Sequence, residues 1–391
     1  MKKALSLLMV GILVAFLMAG CQPATEAPAV PEEAPAEAAP AEEAVEEVAV
    51  TEDLIGIVLP TKQETRWLGD EAKFKKIIEE KGYNAEILFS QNSSAIEKTN
   101  VETLIAKGAK VIILCPYDAT AAAAAVKDAE DADIPVISYD RLILDSDAVD
   151  FYVTFDSMAV GAAQAQYLVD QAGDTKGNNL YMYSGALTDN NSFLFFEGAW
   201  RVLQPKIADG TFVVRNSAKV VEFADKLDLT RDEMADIMSS VDTEWSMDVS
   251  KSLAEAHLTA NDASAKGLVY VLGPADDDCA RSLSDTFFAD AEITEAIVVG
   301  ADGVEASVQY IIDGKQKMTV YKDPNALVVA SMNIADLLLA GKEVPVDKTY
   351  NNNVIDVPSI QADVVTVTAD NIAEVFFEGG VYDGSKFTGW Q

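Results

Sequence analysis

From residue 54 onward, short β-branched runs alternate with longer amphipathic ones, and that alternation restricts the fold more than any other feature of the chain. "LIGIVLP" (54–60) is followed by a helical stretch from Trp67 to Gly82, "AEILFS" (85–90), a helix ending at Lys107, "KVIILC" (110–115), an alanine-rich helix from Asp118 to Asp131 and "IPVISYD" (134–140). Strand and helix at this pitch predict βαβ units and a parallel sheet with helices on both faces. A second series follows: "NLYMYSG" (179–185), a helix from about Asn191 to Ala208, "FVVRNS" (212–217), helices between Val220 and Ala260, "GLVYVLG" (267–273), a helix through Phe288 and "AIVVGAD" (296–302). About 340 residues in two such series exceed the usual size of one core, so two doubly wound α/β domains are predicted, with a ligand between them.

What precedes the first strand is of another kind. "MKKALSLLMVGILVAFLMAGC" has two lysines, an apolar run and small residues before Cys21, which predicts a secretory signal peptide over 1–20. The run is short for a membrane span. A cysteine directly after Ala19-Gly20 predicts a bacterial lipoprotein signal, with Cys21 as the lipidated residue; Met18, where such signals prefer Leu, is a departure. The Ala/Pro/Glu-rich stretch that follows has too little apolar surface to offset its ordering entropy, so residues 21–53 are predicted to be a disordered tether. The protein is therefore expected outside the cytoplasm, held at the membrane by its lipid.

A net charge of -35 argues against affinity for nucleic acid or anionic lipid. One histidine, His257, leaves almost no material for a zinc site or a histidine-based triad, and no metal or cofactor is expected. Beyond Cys21, Cys115 and Cys279 lie in different halves of the chain, and whether they pair is left open.

In an open parallel sheet the carboxyl ends of the strands line a crevice where small molecules bind. Reading those ends gives Pro60-Thr61, Cys115-Pro116-Tyr117, Asp140-Arg141, Gly273-Pro274 with Asp276, and Asp302. In "PTKQETRW" (60–67), Trp67 offers a flat apolar face suited to a sugar ring and Arg66 a forked set of donors; the bland alternative is a core-packing staple beside a solvated arginine. Asp140 and Arg141 follow an apolar strand and cannot both be buried without partners. One accepts from hydroxyls and the other donates to them, which suits a neutral polyol; a salt bridge or turn clamp is the equal alternative. Asp189, Asn190 and Asn191 stand at a predicted helix N-terminus, where one of them serves as the cap and an amide can reach the cleft.

With "PTKQETRW", "YDRLI", "TFDSMAVG", "DNNSFLFFEGAWRVLQP", "VVGADG", "YKDPNAL" and "KTYNNN" in that order, the chain from about residue 54 resembles the periplasmic sugar-binding proteins of bacterial ABC importers. The likeness is to the multiple-monosaccharide group that takes galactose, glucose, arabinose and xylose. It implies a periplasmic binding protein type I fold: two doubly wound parallel-sheet lobes joined by a three-segment hinge, closing on one monosaccharide and presenting it, as a monomer, to the permease. The implied lobes are 54–156 plus 323–350 and 157–322 plus 351–391, with crossings near Asp156, Lys322 and Tyr350. The implied ligand contacts are Arg66, Trp67, Asp140 and Arg141 from the first lobe and Asn191, Asp248, Asp302 and Lys322 from the second lobe and hinge.

Two departures from the group touch the site. Relatives carry Trp immediately before the residue aligned with Asp248, whereas this chain reads "TEWSMD", with Met247 there and Trp245 two residues earlier. Where relatives have Tyr or Asn, Ala275 stands, so a larger or altered pocket is expected. A nucleoside or furanose signal, or a role beside a chemoreceptor or sensor kinase, remains as an alternative on the same fold. A glycosidase built from two of Asp140, Asp248 and Asp302 is disfavoured because Arg66, Arg141 and Lys322 are expected to depress carboxylate pKa values and remove the proton an acid needs.

Overall fold

The computed structural model describes residues 52–390. The predicted signal peptide, the lipidation residue Cys21 and nearly all of the tether lie outside the described residues. The first sheet is built from β1 (Leu54–Leu59), α1 (Thr65–Lys81), β2 (Asn84–Phe89), α2 (Ser94–Ala106), β3 (Ala109–Leu114), α3 (Ala123–Glu130), β4 (Val136–Tyr139) and β5 (Phe151–Phe155). The chain then crosses at Asp156 into α4 (Ser157–Ala172), β6 (Asn178–Met182), α5 (Asn190–Ala208), β7 (Phe212–Val214), α6 (Ala218–Glu222), α7 (Arg231–Met238) and α8 (Met247–Ala260). That lobe continues through β8 (Gly267–Leu272), α9 (Asp277–Ala289), β9 (Ile293–Asp302), α10 (Glu305–Ile312) and β10 (Met318–Tyr321). A second crossing leads to α11 (Pro324–Leu339), β11 (Lys348–Asn351) and β12 (Asp356–Ala362), and a third to β13 (Val365–Thr368).

The sheets run β11-β12-β5-β4-β3-β1-β2 and β13-β10-β9-β8-β6-β7. Apart from the added edge strands, each has the same order, with its first strand between its second and third. The order therefore reverses between β1 and β3 in one lobe and between β6 and β8 in the other, and the crevice at each switch point opens at the strands' carboxyl ends. β1 and β3 carry apolar residues on both faces, as a strand covered by helices on each side requires. α1 stops at Gly82 in the left-handed region (φ +68°), whose N–H returns to the Ile78 carbonyl.

One predicted boundary is corrected. Tyr350 is not where the chain leaves the first lobe: β11 and β12 form an antiparallel hairpin, and β12 pairs in parallel with β5, Ser359 opposite Tyr152. Asn351 ends β11 and Asn352 and Asn353 begin the hairpin turn, with Asn353 at φ +79° and the buried Asn352 amide donating to the Ser146 carbonyl at 2.7 Å. The third crossing therefore falls between Ala362 and Val365. Cys115 and Cys279 are both free and buried, one after β3 and one in α9, so they do not pair.

Candidate functional site: a cavity between the lobes

The two crevices face each other and are closed into one cavity of about 300 Å³ counted to its mouth. Arg66, Trp67, Asp140, Arg141, Asn191, Asp302 and Lys322 all line it, and each is nine-tenths buried or more. Asp248 does not. It is exposed in the first turn of α8, on a groove between α8 and α9, because the α8 N-terminus turns that face outward. Met247, the substituted neighbour, is on the same outer groove. The ring that reaches the cavity is Trp245, two residues earlier, held against Phe195 edge to face with centroids 6.3 Å apart.

Asp140 and Arg141 do not pair with each other. The Arg141 N–H closes onto the Tyr139 carbonyl at 2.7 Å, a three-residue γ-type turn with Asp140 at its centre at φ +61°. The turn sends the two side chains to different partners. The Asp140 carboxylate takes Arg66 Nη2 at 3.0 Å, while Arg141 Nε lies 2.9 Å from Asp189 Oδ2 on the opposite lobe. That contact is an ion pair without an aligned hydrogen bond, which leaves the Nε donor without a partner. The Asp140 carbonyl is held in turn by the Asn191 amide at 2.9 Å and the Tyr152 hydroxyl at 2.8 Å.

Asp302 is the second lobe's counterpart. It too ends a strand in the left-handed region, at φ +104°, and its Oδ1 meets Lys322 Nζ at 2.8 Å and Arg66 Nη1 at 3.4 Å. Buried Asp277 holds that turn: its carboxylate accepts the Gly303 N–H at 2.8 Å, the Val304 N–H at 3.1 Å and the Thr319 hydroxyl at 3.0 Å. Trp245 adds a third positive φ, +55°. Three cavity residues thus sit in backbone conformations that cost energy outside glycine, a strain the surrounding hydrogen bonds maintain.

Trp67 packs into the core and also lines the cavity. It is 2 % exposed and part of the first-lobe core, yet one side faces the cavity. Its indole N–H donates to Glu64 Oε2 at 2.7 Å, and the guanidinium carbons of Arg66 and Arg141 lie 5.2 and 5.1 Å from its ring centroid. Arg66 is held by Asp70, with Nε 2.6 Å from Oδ2. Asn191 acts as a strut across the seam, since its amide joins the Asp140 carbonyl and its oxygen takes the Ser157 hydroxyl at 3.1 Å. The helix cap in "DNN" is Asp189, which accepts the Asn191 N–H at 2.8 Å.

Glu64, Asp189, Phe195, Trp245, Ala275 and Asp276 complete the wall. Glu64 was the residue least visible in sequence, being one polar position in a polar loop. Burial pushes Glu64 up to about 7 against the pull of Arg141, and burial with Asp302 and Asp278 nearby holds Asp276 well above the ordinary carboxylate range. Five carboxylates and three cations therefore face one space from both lobes. Carboxylates accept from hydroxyls, guanidinium and ammonium groups donate to them, and aromatic rings cover apolar C–H faces.

Two α/β lobes closing a polar, aromatic-walled cavity at paired switch points define a solute-binding protein. The chain belongs to the periplasmic binding protein domain family, whose model matches residues 55–343. It is 33 % identical over 337 residues to the multiple sugar-binding periplasmic receptor ChvE of Rhizobium radiobacter, covering 85 % of this chain and 91 % of that one. A carbohydrate transporter solute-binding protein from Chloroflexus aurantiacus, crystallised with D-glucose, shares 57 % identity with a TM-score of 0.85 over 87 % of this chain and all of that one. An ABC transporter solute-binding protein from Clostridium phytofermentans with bound β-D-glucose shares 28 % identity at a TM-score of 0.76, over 86 % of this chain and 100 % of that one.

Proposed function

We propose that the protein captures a monosaccharide between its lobes, outside the cytoplasmic membrane, and delivers it to an ABC importer. The observation that carries this reading is the set of buried ionic groups from both lobes converging on one cavity. A neutral polyol fits because each hydroxyl both donates and accepts, so one ligand can serve carboxylates and guanidinium groups together. Analogues lacking a hydroxyl leave a dry charged group unpaired and are rejected. The kinship with ChvE and the glucose-bound solute-binding proteins supports the same class of ligand.

Arg66, Trp67, Asp140, Arg141, Asp302 and Lys322, with Glu64, Trp245 and Asp276, are the residues assigned to the sugar, and Asn191 to the seam. The contacts between lobes exist only in the closed form, so a ligand that needs both lobes shifts the population toward it. The lipid anchor at Cys21, the monomeric state and the absence of catalysis belong to this reading. Relatives act as receptors, but Glu64 keeps a raised pKa, so a glycosidase assay is a fair challenge.

Titration calorimetry of the full chain against aldoses, nucleosides and furanoses tests the proposal, with a native mass spectrum of the purified protein to find any retained sugar. Binding of an aldose at micromolar or tighter Kd is expected. Binding confined to nucleosides, or sustained hydrolysis of aryl glycosides, would overturn it.

A further inference from the structure

A second pocket, of about 280 Å³ counted to its mouth, adjoins the first inside the second lobe. It is bounded by the chain after β6, the chain after β8, and helices α4 and α5, so it occupies that sheet's switch point. Phe195 and Ala275 line both cavities, and the ring and the single methyl group are the wall they share. With alanine at 275, that wall is as thin as a side chain with a Cβ can make it.

Two polar side chains at this second cavity have no partner. Gln164 Nε2 comes from α4 and Ser192 Oγ from the first turn of α5, and both residues are 1 % exposed. A buried amide N–H and a buried hydroxyl without partners are costly, and two of them around one void call for a small polar occupant. Its chemistry is limited further by the rest of the lining, which holds no ionised side chain and includes Phe196 and Leu272. A carboxylate or an ammonium group would be stranded there. A methylene carrying a hydroxyl would not.

We propose that this annex is the subsite for the exocyclic hydroxymethyl group of a hexose. Its hydroxyl accepts from Gln164 Nε2 and exchanges a hydrogen bond with Ser192, while its methylene passes between Phe195 and Ala275. The inference rests on the reading of the interlobe cavity as a monosaccharide site, and it makes the protein a selector of hexoses over pentoses. A pentopyranose fills the main cavity but leaves Gln164 and Ser192 unpaired.

The test compares D-glucose with D-xylose by titration calorimetry on the full chain, since the two pyranoses differ only in that hydroxymethyl group. D-Xylose is expected to bind at least about tenfold more weakly. Ser192→Ala, and separately Gln164→Met, should weaken D-glucose severalfold and leave D-xylose unchanged, with melting temperatures checked to exclude unfolding. Equal affinity for both sugars in the unaltered protein overturns the annex and leaves the monosaccharide reading standing. So does a Ser192→Ala protein with unchanged affinity for both, which would assign the void to a buried water. Failure of either sugar to bind a cooperatively folded protein removes the underlying reading and the annex with it.

Discussion

The backbone N–H of Thr65, the first residue of α1, donates to Asp278 Oδ2 across the lobes at 2.9 Å. Glu64, at the cap position of that helix, makes no side-chain cap bond of its own. A first-lobe helix is therefore capped by a carboxylate from the second lobe, and opening the lobes uncaps it.

Asp278→Ala should weaken sugar binding by roughly fivefold, the effect of losing a cap of about 1 kcal/mol. Asp278→Asn keeps an acceptor and should retain most of the affinity. Calorimetry on both variants decides it: an unchanged Kd in the alanine variant would separate this bond from closure.

Arg141 lies 2.9 Å from Asp189, 3.5 Å from Glu64 and against the Trp67 ring, at 4 % exposure. Arg141→Ala leaves two buried carboxyls without their cation, and a loss of about 2–4 kcal/mol in binding is expected. Arg141→Lys should recover little, because an ammonium group cannot reach both carboxyls and stack on the indole. A wild-type Kd in the alanine variant would remove Arg141 from the site.

Stability should fall as pH rises through neutrality. Burial pushes the carboxyls of Glu64, Glu97 and Asp277 up to about 7. Between their ordinary values and about 7 the folded chain holds more protons than the unfolded one, so the unfolding free energy decreases with pH across that window. Exposed Asp209, held below its ordinary value by the Thr211 hydroxyl and Lys176, and half-buried Asp290, held down by Lys266 and a backbone donor, act with the opposite sign only in more acid solution. Scanning calorimetry at fixed ionic strength should give a higher Tm at pH 5.5 than at pH 7.5. Glu97, whose Oε1 has no partner, does not line the cavity. Glu97→Gln should raise Tm at pH 7.5 and flatten the slope, and an unaltered slope would refute its share.

Helices α4 and α5 cross with their backbones in contact. A Cβ on Gly161 would fall 1.8 Å from the Phe195 carbonyl oxygen, and one on Gly198 2.1 Å from that of Met158. Gly161→Ala should cost about 1–3 kcal/mol of stability through overpacking and lower sugar affinity by moving Phe195 and Asn191. Denaturant melts and calorimetry would show both losses; a fully stable variant would mean the crossing can relax.

Legibility in the sequence followed the range of the interaction. β1, β3, α1 and α5 were legible to within a few residues because apolar periodicity and caps are local. Asp140-Arg141 and Asp302 were legible as cavity-lining residues because strand ends in a parallel sheet share one edge. Asp248 was misplaced because a motif alignment carries position along the chain but not the direction in which a helix start faces. β11 and β12 were missed because an exposed edge hairpin has little apolar signal. Glu64 carried no mark and Asp189 was marked only as a candidate helix cap, since a loop acid and a helix cap look alike whether or not another lobe closes over them.

The order of residues by itself determined two α/β units and put charged groups at their strand termini, because alternation of period and the polarity of strand ends are properties of neighbouring residues. Tertiary structure alone decided that Arg66 meets Asp302, that Trp245 takes the inner wall in place of a residue beside Asp248, and that Asp278 caps α1. Those pairings join segments tens to hundreds of positions apart. They depend on how two rigid sheets approach each other, which no local spacing encodes.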